Sequence, residues 1–509
     1  MPTAPAPEVK LITASLARYA AQNTSVGFEV RLKPGNFTPT GTLVVNASDP
    51  ASVIATPVTV ATNSDGTYTL SLASATGAAP GHYTGNITLK LCVDPACAMP
   101  QAVPSVTVPY DLTVLAAGPG WPGDNLIPLA AWTDAPEWST FQGNPAHTGY
   151  VPVTIDPNQI KPRWKAAPIE HTYTNEWGSG YGYASTMAIA NGIFYGAGGT
   201  EVKARKEFDG SQVWSYDASG MKYWNFNSPA TANGKMFMAI GAQDVTYLFA
   251  FDAATGAVGF KAPMKSQWSS YLAPVALGDA VYSNGGTEGG LYAFNLSGDQ
   301  TFFADQLAPL SRWSPAVDAS SVYVYDGALH VFDRKTGVVS GTIKNPGYQP
   351  NFENDGAPVL GANGNVYAAD YANAYLNGAA ADNQLIKFDT AKGSIGWSIA
   401  GSYPLTPAYA NGVVYAPNTK PYRIEARAEG DGALLWSWVP AQSGETVWHG
   451  EPVVTSNLVF VSTNLATYAI DLATHKAVWS YPAGGRLALS RSGILYIQNP
   501  EAVVAVNLK

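Results

Sequence analysis

Apolar and polar residues alternate in short runs along the first 115 residues, which is the period-two pattern of half-buried β-strands. Segments rich in Gly, Pro, Asn and Asp separate these runs and predict tight turns between them. The runs are VGFEVRL, GTLVVNA, TPVTVAT, GTYTLSLA, HYTGNITLKLCV and VPYDLTVLA. About seven short strands in such a region are typical of a β-sandwich, so residues 1–115 are predicted to form one.

The pattern becomes periodic after residue 151, where an apolar run opens on a proline every 41 to 49 residues. Each unit continues with a tight turn, a strand that carries Tyr or Phe, and a strand that ends in Asp or Asn. Most units then have a turn with Gly and an aromatic residue four positions later. About 44 residues with four short strands form the unit of a β-propeller blade. The prolines are Pro229, Pro274, Pro315, Pro358, Pro407 and Pro452.

The spacing of these units predicts an all-β protein with an eight-bladed β-propeller in residues 151–509. The last blade runs out of chain before its outer strand, whereas IKPRWKAAP (160–168) carries a Trp-bearing strand with no blade of its own. We therefore expect this N-terminal outer strand to complete the last blade and close the ring, because closure removes a free sheet edge. Residues 116–150, with the Pro/Gly-rich GPGWPGD, are expected to be a linker and propeller lead-in.

The repeat D-x-x-T-G-x-x-x-(W/F), preceded by L-Y-A-F, resembles that of quinoprotein (PQQ)-like propellers, and WSTFQGNPAHTGYVP (138–152) is similar to their lead-in. That superfamily contains PQQ-dependent alcohol dehydrogenases and a periplasmic propeller lipoprotein of outer-membrane protein assembly. PGHYTGNITLKLCVDPAC resembles the penultimate strands of bacterial immunoglobulin-like modules, so the sandwich is expected to be immunoglobulin-like. The repeated aromatic residues are expected to dock outer strands onto neighbouring blades, namely Trp164, Trp214, Trp397, Trp436 and Trp479.

Composition narrows the function classes. Charged residues make up 13% of the chain, the net charge is −9, and the 28 Lys and Arg residues form no cluster, which argues against a nucleic-acid partner. No run of about 18 apolar residues exists, so no transmembrane segment is expected. The N-terminal MPTAPAPEVK has the character of a start Met on a mature secreted chain that has lost its signal peptide.

The two cysteines, Cys92 and Cys97, flank a short turn that contains Asp-Pro. Strand-end cysteines around such a turn can reach disulfide geometry, so a disulfide is expected. The alternatives are two free thiols or half of a metal site, which would need further soft ligands. A disulfide indicates an oxidising compartment, and the protein is expected to be bacterial and periplasmic, secreted or at the cell surface.

The loops that lead into each blade would line the mouth of the propeller, and they are rich in Trp, Tyr and polar residues. An aromatic-lined pocket with convergent polar groups is the usual form of a small-ligand site. The alternative is that these rings fill the channel or cap its face. The ligand-binding candidates are Trp224, Trp268, Tyr271, Arg312, Trp313, Trp448 and His449.

Two enzyme classes can be tested on the same loops. The resemblance to quinoproteins implies PQQ held on a Trp, with Ca²⁺ bound by hard oxygen ligands for which Glu353, Asn354 and Asp355 are the candidates. The adjacent cysteine pair of that family is missing, because the propeller contains no cysteine. A glycan hydrolase or lyase would use Glu353, Asp355 or Glu451 as acid and base, or His449 as base.

The function favoured by the sequence is non-catalytic recognition. The aromatic-lined mouth would bind a glycan, an envelope polymer or a protein partner without a cofactor or metal, and the sandwich would act as a spacer or second contact. The alternative is a PQQ- and Ca²⁺-dependent quinoprotein oxidoreductase, with a glycan hydrolase or lyase as a third class.

Overall fold

The computed structural model is all-β over the part of the chain that it describes. That part comprises residues 6–12, 16–23, 25–39, 41–63, 65–115, 126–167, 172–175, 178–181, 186–198, 201–219, 225–241, 245–265, 273–307, 312–346, 355–369, 383–440 and 444–509. Its only helices are 3₁₀ turns at Phe141–Gly143, Pro157–Gln159, Gly286–Glu288 and Ala362–Gly364. None of these described helices has the length and apolarity to cross a membrane.

The chain divides into two compact units. The first consists of Met1–Gly118 with the short segments Pro440–Glu445 and Ala477–Ala483, and the second consists of the remainder.

The N-terminal part of the first unit is built from two four-stranded sheets that share one apolar core. Val30 and Leu70 of one sheet and Leu89 and Leu112 of the other are fully buried in that core. The strands of the first sheet, in spatial order, are Glu8–Leu11, Gly27–Gly35, Tyr68–Ser74 and Ile54–Thr62. Those of the second are Leu16–Ala21, Val106–Leu115, Gly81–Cys92 and Val44–Ser48.

Cys92 and Cys97 form a disulfide at the end of the long strand Gly81–Cys92. Asp94 lies inside the closed loop and accepts hydrogen bonds from the backbone N–H groups of Ala98 and Met99. These backbone hydrogen bonds lower the pKa of Asp94. The loop is therefore fixed by the disulfide and by the hydrogen bonds that the Asp94 carboxylate accepts.

In the described part of residues 161–509, eight sheets of antiparallel strands follow one another, and we number them in chain order. Sheets 1 to 4 contain, from inner to outer strand, Ala188–Ala190, Ile193–Gly198, Glu201–Lys206 and Gln212–Asp217; Ala230–Ala232, Lys235–Gly241, Thr246–Asp252 and Val258–Met264; Val275–Leu277, Ala280–Asn284, Leu291–Asn295 and Gln300–Ala304; and Ala316–Val317, Ser321–Tyr325, Ala328–Asp333 and Val339–Lys344. Asn225–Phe226 adds a fifth strand to sheet 2.

Sheets 5 to 8 contain, in the same order, Val359–Leu360, Asn365–Ala369, Asn383–Asp389 and Ser394–Gly401; Ala408–Ala410, Val413–Thr419, Tyr422–Ala428 and Leu434–Trp438; Trp448–Val454, Leu458–Thr463, Thr467–Asp471 and Ala477–Tyr481; and Arg486–Leu489, Ile494–Gln498, Val503–Asn507 and Lys161–Ala166. Two small pairs complete the described strands, Thr172–Asn175 with Gly178–Tyr181 and Arg312–Trp313 with Asp355–Gly356.

The middle strands are apolar almost throughout because both of their faces are covered by neighbouring sheets. In Lys235–Gly241 of sheet 2, every residue after Lys235 is buried. Phe237 of this strand shares a core with Tyr292 of sheet 3, and Tyr325 of sheet 4 shares another with Phe388 of sheet 5. A strand buried on both faces reads as a continuous apolar run, whereas the outer strands keep the alternation of a half-exposed position.

In five of the described sheets, a glycine in the turn before the outer strand lies on an aromatic ring of the neighbouring sheet. Gly256 has φ +74°, and a Cβ there would stand 2.6 Å from the Trp214 ring. The carboxylate of Asp252 holds the turn by accepting hydrogen bonds from the N–H and hydroxyl of Thr255. The same glycine–ring contact occurs at Gly210–Trp164, Gly298–Phe260, Gly337–Phe302 and Gly432–Trp397.

The contact between a turn and the ring of the neighbouring sheet accounts for the two irregular units of the repeat. Sheet 4 has Gly341 in place of the aromatic residue, and the facing Gly393 of sheet 5 has no atom within 4 Å of its hypothetical Cβ. Sheet 7 has His475 in place of glycine, and its ring stacks on Trp436 with centroids 4.7 Å apart. Trp436 is therefore received by the imidazole of His475 in place of a glycine.

The strand Lys161–Ala166 pairs antiparallel with Val503–Asn507 as the fourth strand of sheet 8. Its Trp164 is 4% exposed and donates a hydrogen bond from Nε1 to the carbonyl of Glu207, beyond the third strand of sheet 1. The same ring stacks on Phe194 of sheet 1 at 5.5 Å. The first and last sheets of the second unit are therefore in direct contact.

The segment Trp138–Gly149, which we call the lead-in, contacts the inner strands of sheets 1 to 7. Its backbone carbonyls accept hydrogen bonds from inner-strand N–H groups of six of these sheets, and Thr140 donates to the carbonyl of Pro274 beside the remaining one, sheet 3. The donor–acceptor pairs are Ile189–Trp138, Thr231–Ser139, Val317–Pro145, Leu360–Ala146, Tyr409–Thr148 and Val454–Gly149, with N···O distances of 2.7 to 2.9 Å. A segment that touches so many inner strands lies between them.

Candidate functional site

The predicted mouth is one end of the second unit, where each outer strand gives way to the loop before the next inner strand. Several of its predicted residues, Trp224, Trp268, Tyr271, Glu353 and Asn354, lie outside the described residues. Arg312 and Asp355 are described in their backbone alone. The side chains that can be placed at this end are those of the loops before sheets 4, 6 and 7.

Two of the mouth loops are joined to each other by a short parallel pairing. Arg312 lies opposite Asp355 in this register, and Trp313 lies opposite Gly356. The pairing connects the loop before sheet 4 to the loop before sheet 5. The structure thus brings together the backbone of one ligand-binding candidate, Arg312, and of one acidic candidate, Asp355.

Trp313 is 1% exposed and packs in the core between sheets 3 and 4. Its neighbours there include Leu291 and Val324. Its backbone carbonyl accepts a hydrogen bond from the Asn284 amide, while its indole N–H has no hydrogen-bond partner among the described residues. In this arrangement Trp313 anchors its loop and offers no free ring face to a ligand.

Trp448 is also covered, with an exposed fraction of 4%. Its indole Nε1 donates a hydrogen bond of 3.0 Å to the carbonyl of Asn418. Tyr422 stacks on the ring, with centroids 4.6 Å apart and an interplanar angle of 18°. Trp448 therefore ties the loop before sheet 7 to the hairpin between the middle strands of sheet 6.

A fully buried carboxylate, that of Glu425, lies on the second strand of this hairpin. Glu425 accepts hydrogen bonds from Arg423 and Arg427, with Nε to carboxylate distances of 2.7 Å in both cases. Tyr403 and Asn418 donate to the same carboxylate at 3.0 and 3.2 Å. Burial alone raises the pKa of Glu425, but the hydrogen bonds from Arg427 and Arg423 outweigh burial and lower it.

This Glu425 network is an ion-paired scaffold, because every oxygen of the carboxylate is committed to a donor. Tyr403, in the loop before sheet 6, is 0% exposed and forms part of the network. A carboxylate held ionised between two guanidinium groups fixes side chains in place and has no free proton to transfer.

His449 and Glu451 lie on the inner strand of sheet 7 and have different environments. His449 keeps part of its surface exposed, and partial desolvation of its ring together with the charge of Arg486 lowers its pKa below the usual 6.5, so the ring is neutral at pH 7. Glu451 forms an ion pair with Arg486 at 3.7 Å. Glu451 is thus paired with a cation.

Sequence reasoning missed the floor of this end of the unit, which the lead-in provides. Phe141 packs with Ala273 and Ala357, the residues that precede two of the repeated prolines. His147 is fully buried, with Nδ1 3.1 Å from the Pro358 carbonyl and Nε2 3.4 Å from the Ser314 hydroxyl. Most inner strands are two or three residues long and their backbone groups need partners on their free side, but these lengths are seen only in the structure.

A quinone platform at the two described tryptophans does not fit this geometry. Stacking a planar cofactor needs an uncovered ring face, whereas Trp448 is stacked on Tyr422 and Trp313 lies in the core. Among the described residues, no group of three or more His, Cys, Asp or Glu side chains is arranged to hold a metal ion.

Comparison with known proteins identifies the family to which the repeats in residues 198–509 belong. A family model described as "Outer membrane protein assembly factor BamB" matches residues 198–379 and 371–509, which together span more than half of the chain. The crystal structure of BamB from Moraxella catarrhalis is similar at 17% identity and a TM-score of 0.48, over 64% of this chain and 94% of that chain. No curated protein matches the chain at a significant level.

Proposed function

Because the chain belongs to the family of the outer membrane protein assembly factor BamB, we propose that it is a non-catalytic scaffold that binds a protein partner in the bacterial cell envelope. The family match over 198–509, which covers sheets 2 to 7 and three of the four strands of sheet 8, is the observation that carries this proposal. A location in the periplasm or outside the cell agrees with the disulfide between Cys92 and Cys97.

The architecture that we propose for this scaffold is an immunoglobulin-like module in residues 1–115, a linker and lead-in in 116–150, and a closed eight-bladed propeller in 151–509. The pairing of Lys161–Ala166 with Val503–Asn507 supports closure, because it joins the two ends of the repeat region. The docking of Trp164 on the turn at Gly210 supports it as well, because it repeats the contact between the other sheets.

The proposed binding surface is the loop end of the propeller. The lead-in lies between the inner strands, so the axis of the unit is filled by Phe141 and His147 and a partner has the rim of loops to contact. Trp224, Trp268 and Tyr271 are proposed as the contact rings, with Arg312 and His449 as polar contacts beside them. Trp313 and Trp448 would hold these loops in place, since both are buried.

The experiment that tests this function is site-specific photo-crosslinking in intact cells. We expect a photoreactive residue in place of Trp224 or Trp268 to give covalent adducts with an envelope protein. The matched control replaces Val338, which is 63% exposed in the turn at the opposite end of an outer strand, and is expected to give no adduct. Equal adducts at all three positions would contradict a partner bound at the loop end.

The alternative functions have their own test in the same protein. Titration with PQQ and Ca²⁺, followed by Trp fluorescence and by dye reduction with simple alcohols, is expected to give neither saturable quenching nor turnover. Turnover that depends on both additives would overturn the scaffold proposal and direct mutagenesis to Glu353, Asn354 and Asp355. Release of sugars from envelope glycans would do the same for Glu353, Asp355, His449 and Glu451.

A further inference from the structure

A buried carboxyl group, that of Glu207, joins the first and last sheets of the repeat region. Glu207 follows the third strand of sheet 1 and is 1% exposed. Its carboxyl oxygens accept hydrogen bonds from the hydroxyls of Ser492 and Tyr496 in sheet 8, at 2.9 and 3.2 Å. Its backbone carbonyl accepts a hydrogen bond from the indole of Trp164, which lies on the outer strand of sheet 8. The side chain and the backbone of Glu207 thus both lie in the contact between sheets 8 and 1, which we call the seam.

Glu429 occupies the corresponding position between sheets 5 and 6 and provides a comparison. The indole of Trp397 donates to its backbone carbonyl, and the hydroxyl of Tyr367 donates to its carboxylate at 2.8 Å. Glu429 is partly exposed, and Asn365 and Tyr409 donate to the same carboxylate. Burial alone raises the pKa of Glu429, but the hydrogen bonds from these three side chains outweigh burial and lower the pKa. Glu429 is therefore ionised at neutral pH.

Glu207 has the opposite preference. Burial is the largest influence on the pKa of Glu207 and raises it, and the nearby charge of Glu137 raises it further. The hydrogen bonds from Ser490, Ser492 and Tyr496 lower this pKa only in part. A fully buried carboxyl group whose donors are neutral hydroxyls favours the protonated form, because desolvation penalises the charged form.

The cationic groups around the seam are bound to other oxygens. Arg163, on the outer strand of sheet 8, is fully buried and donates to the Phe208 carbonyl and to the Asn507 amide oxygen. Two more cations of sheet 8 donate to backbone carbonyls, in the pairs Arg491–Trp132 and Lys509–Ala130. The other titratable side chains near Glu207 and Arg163 are those of Glu137, Lys206, Asp209 and Tyr496. An ionised Glu207 would therefore have hydroxyl groups as its hydrogen-bond donors.

We propose that the seam is a pH-sensitive latch, which holds while Glu207 is a neutral acid and loosens when Glu207 becomes a carboxylate. Folding raises the pKa of Glu207 above its usual 4.5, so the folded protein keeps a proton that the unfolded chain has already lost. The stability from this group is complete below pH 4.5 and is lost as the pH rises through the folded value. Loosening would release Lys161–Ala166, the strand that precedes the hairpin of Thr172–Asn175 and Gly178–Tyr181 in the loop before sheet 1. The latch works without a partner and is independent of the proposed function.

The test compares the full-length wild-type protein with Glu207→Gln, whose side chain has the same shape and stays neutral at every pH. Urea denaturation at pH 5 and pH 8 measures the unfolding equilibrium constant of both proteins. We expect the ratio of the wild-type constant to that of the variant to rise by at least about tenfold from pH 5 to pH 8, and this ratio cancels the contributions of other titrating groups. The matched control, Glu429→Gln, is expected to keep the wild-type pH dependence, because Glu429 is ionised throughout this range.

Hydrogen exchange, corrected for the intrinsic rate at each pH, locates the change. Protection of Val503–Asn507 in sheet 8 is expected to fall with rising pH in the wild-type protein and to stay constant in Glu207→Gln. Protection of Asn383–Asp389, the third strand of sheet 5, is expected to stay constant in both. Tyr496→Phe keeps the ring in the core and removes one donor to the carboxylate, so the fall should begin at a higher pH.

Two outcomes would overturn the latch. One is the same pH dependence of unfolding in the wild-type protein and in Glu207→Gln. The other is an equal loss of protection at Val503–Asn507 and at Asn383–Asp389, since that indicates opening of the whole unit. If Glu207→Gln does not fold, Tyr496→Phe decides, and an onset at the wild-type pH would equally overturn the proposal.

Discussion

At Gly256 the backbone conformation and the neighbouring ring both exclude a side chain. A φ of +74° is strained for any residue with a Cβ, and Trp214 occupies the space that a Cβ would enter. The same pair recurs between successive sheets, which explains why the turn glycine and the aromatic residue four positions later repeat together. At the residue scale, the repeat is a docking contact between one sheet and the next.

Gly256→Ala is expected to destabilise the protein more than Gly393→Ala. Both substitutions put alanine in the left-handed region, at φ +74° and +65°, which costs about 1–2 kcal/mol in each case. Gly256→Ala additionally forces Cβ into the Trp214 ring, whereas the Cβ at Gly393 meets no atom within 4 Å. The difference in unfolding free energy should be about 1–3 kcal/mol, measured by urea denaturation. Equal losses would show that the ring contact is unimportant.

At the scale of the element, the lead-in is the segment that ties the sheets together, and it contains a buried titratable group. Burial lowers the pKa of His147 from 6.5 to about 3. The unfolded chain therefore binds a proton between these values and the folded protein does not. Stability from this group is complete above pH 6.5 and is lost as the pH falls towards 3.

His147→Asn is expected to flatten the pH dependence of stability between pH 6.5 and 5. The wild-type protein should lose about 2 kcal/mol of unfolding free energy to His147 over this interval, since one pH unit corresponds to about 1.4 kcal/mol. Asparagine suits the φ of +57° and does not titrate in this range. Chemical denaturation at both pH values measures the two slopes, and parallel slopes would contradict the prediction.

The strands of these elements could be predicted from the chain, but the place of the lead-in could not. The periodic apolar runs gave the all-β class and the repeated four-stranded sheets, and both are confirmed. WSTFQGNPAHTGYVP carries no periodicity that shows which groups its carbonyls meet, because its partners at Ile189 and Val454 are far apart in sequence. Burial of Trp313 and Trp448 depends in the same way on what neighbouring sheets contribute.

At the scale of the whole molecule, Trp164 and Trp397 make the same contact at different places in the chain. Each indole N–H donates to the carbonyl beyond the third strand of the next sheet, at 2.9 Å to Glu207 and 3.0 Å to Glu429. Trp164 alone lies on the strand that pairs with the C-terminal strand Val503–Asn507.

Trp164→Ala and Trp397→Ala are both expected to cost about 3–5 kcal/mol of unfolding free energy. They should differ in where the protein opens. Hydrogen exchange at Val503–Asn507 is expected to become faster in Trp164→Ala, because its pairing strand loses its anchor, and to stay slow in Trp397→Ala. Identical exchange patterns in the two variants would mean that the contact between sheets 8 and 1 has no special role.

The strands, the turns, the repeat and the family can be predicted from the chain, because each depends on the spacing of apolar residues, glycines and aromatic rings. Which rings are covered and what lies between the inner strands depend on contacts that form only in the folded protein. Those properties arise from contacts between different sheets, so Trp448 lies under Tyr422 and Leu435 lies in solvent for reasons that the local sequence does not carry.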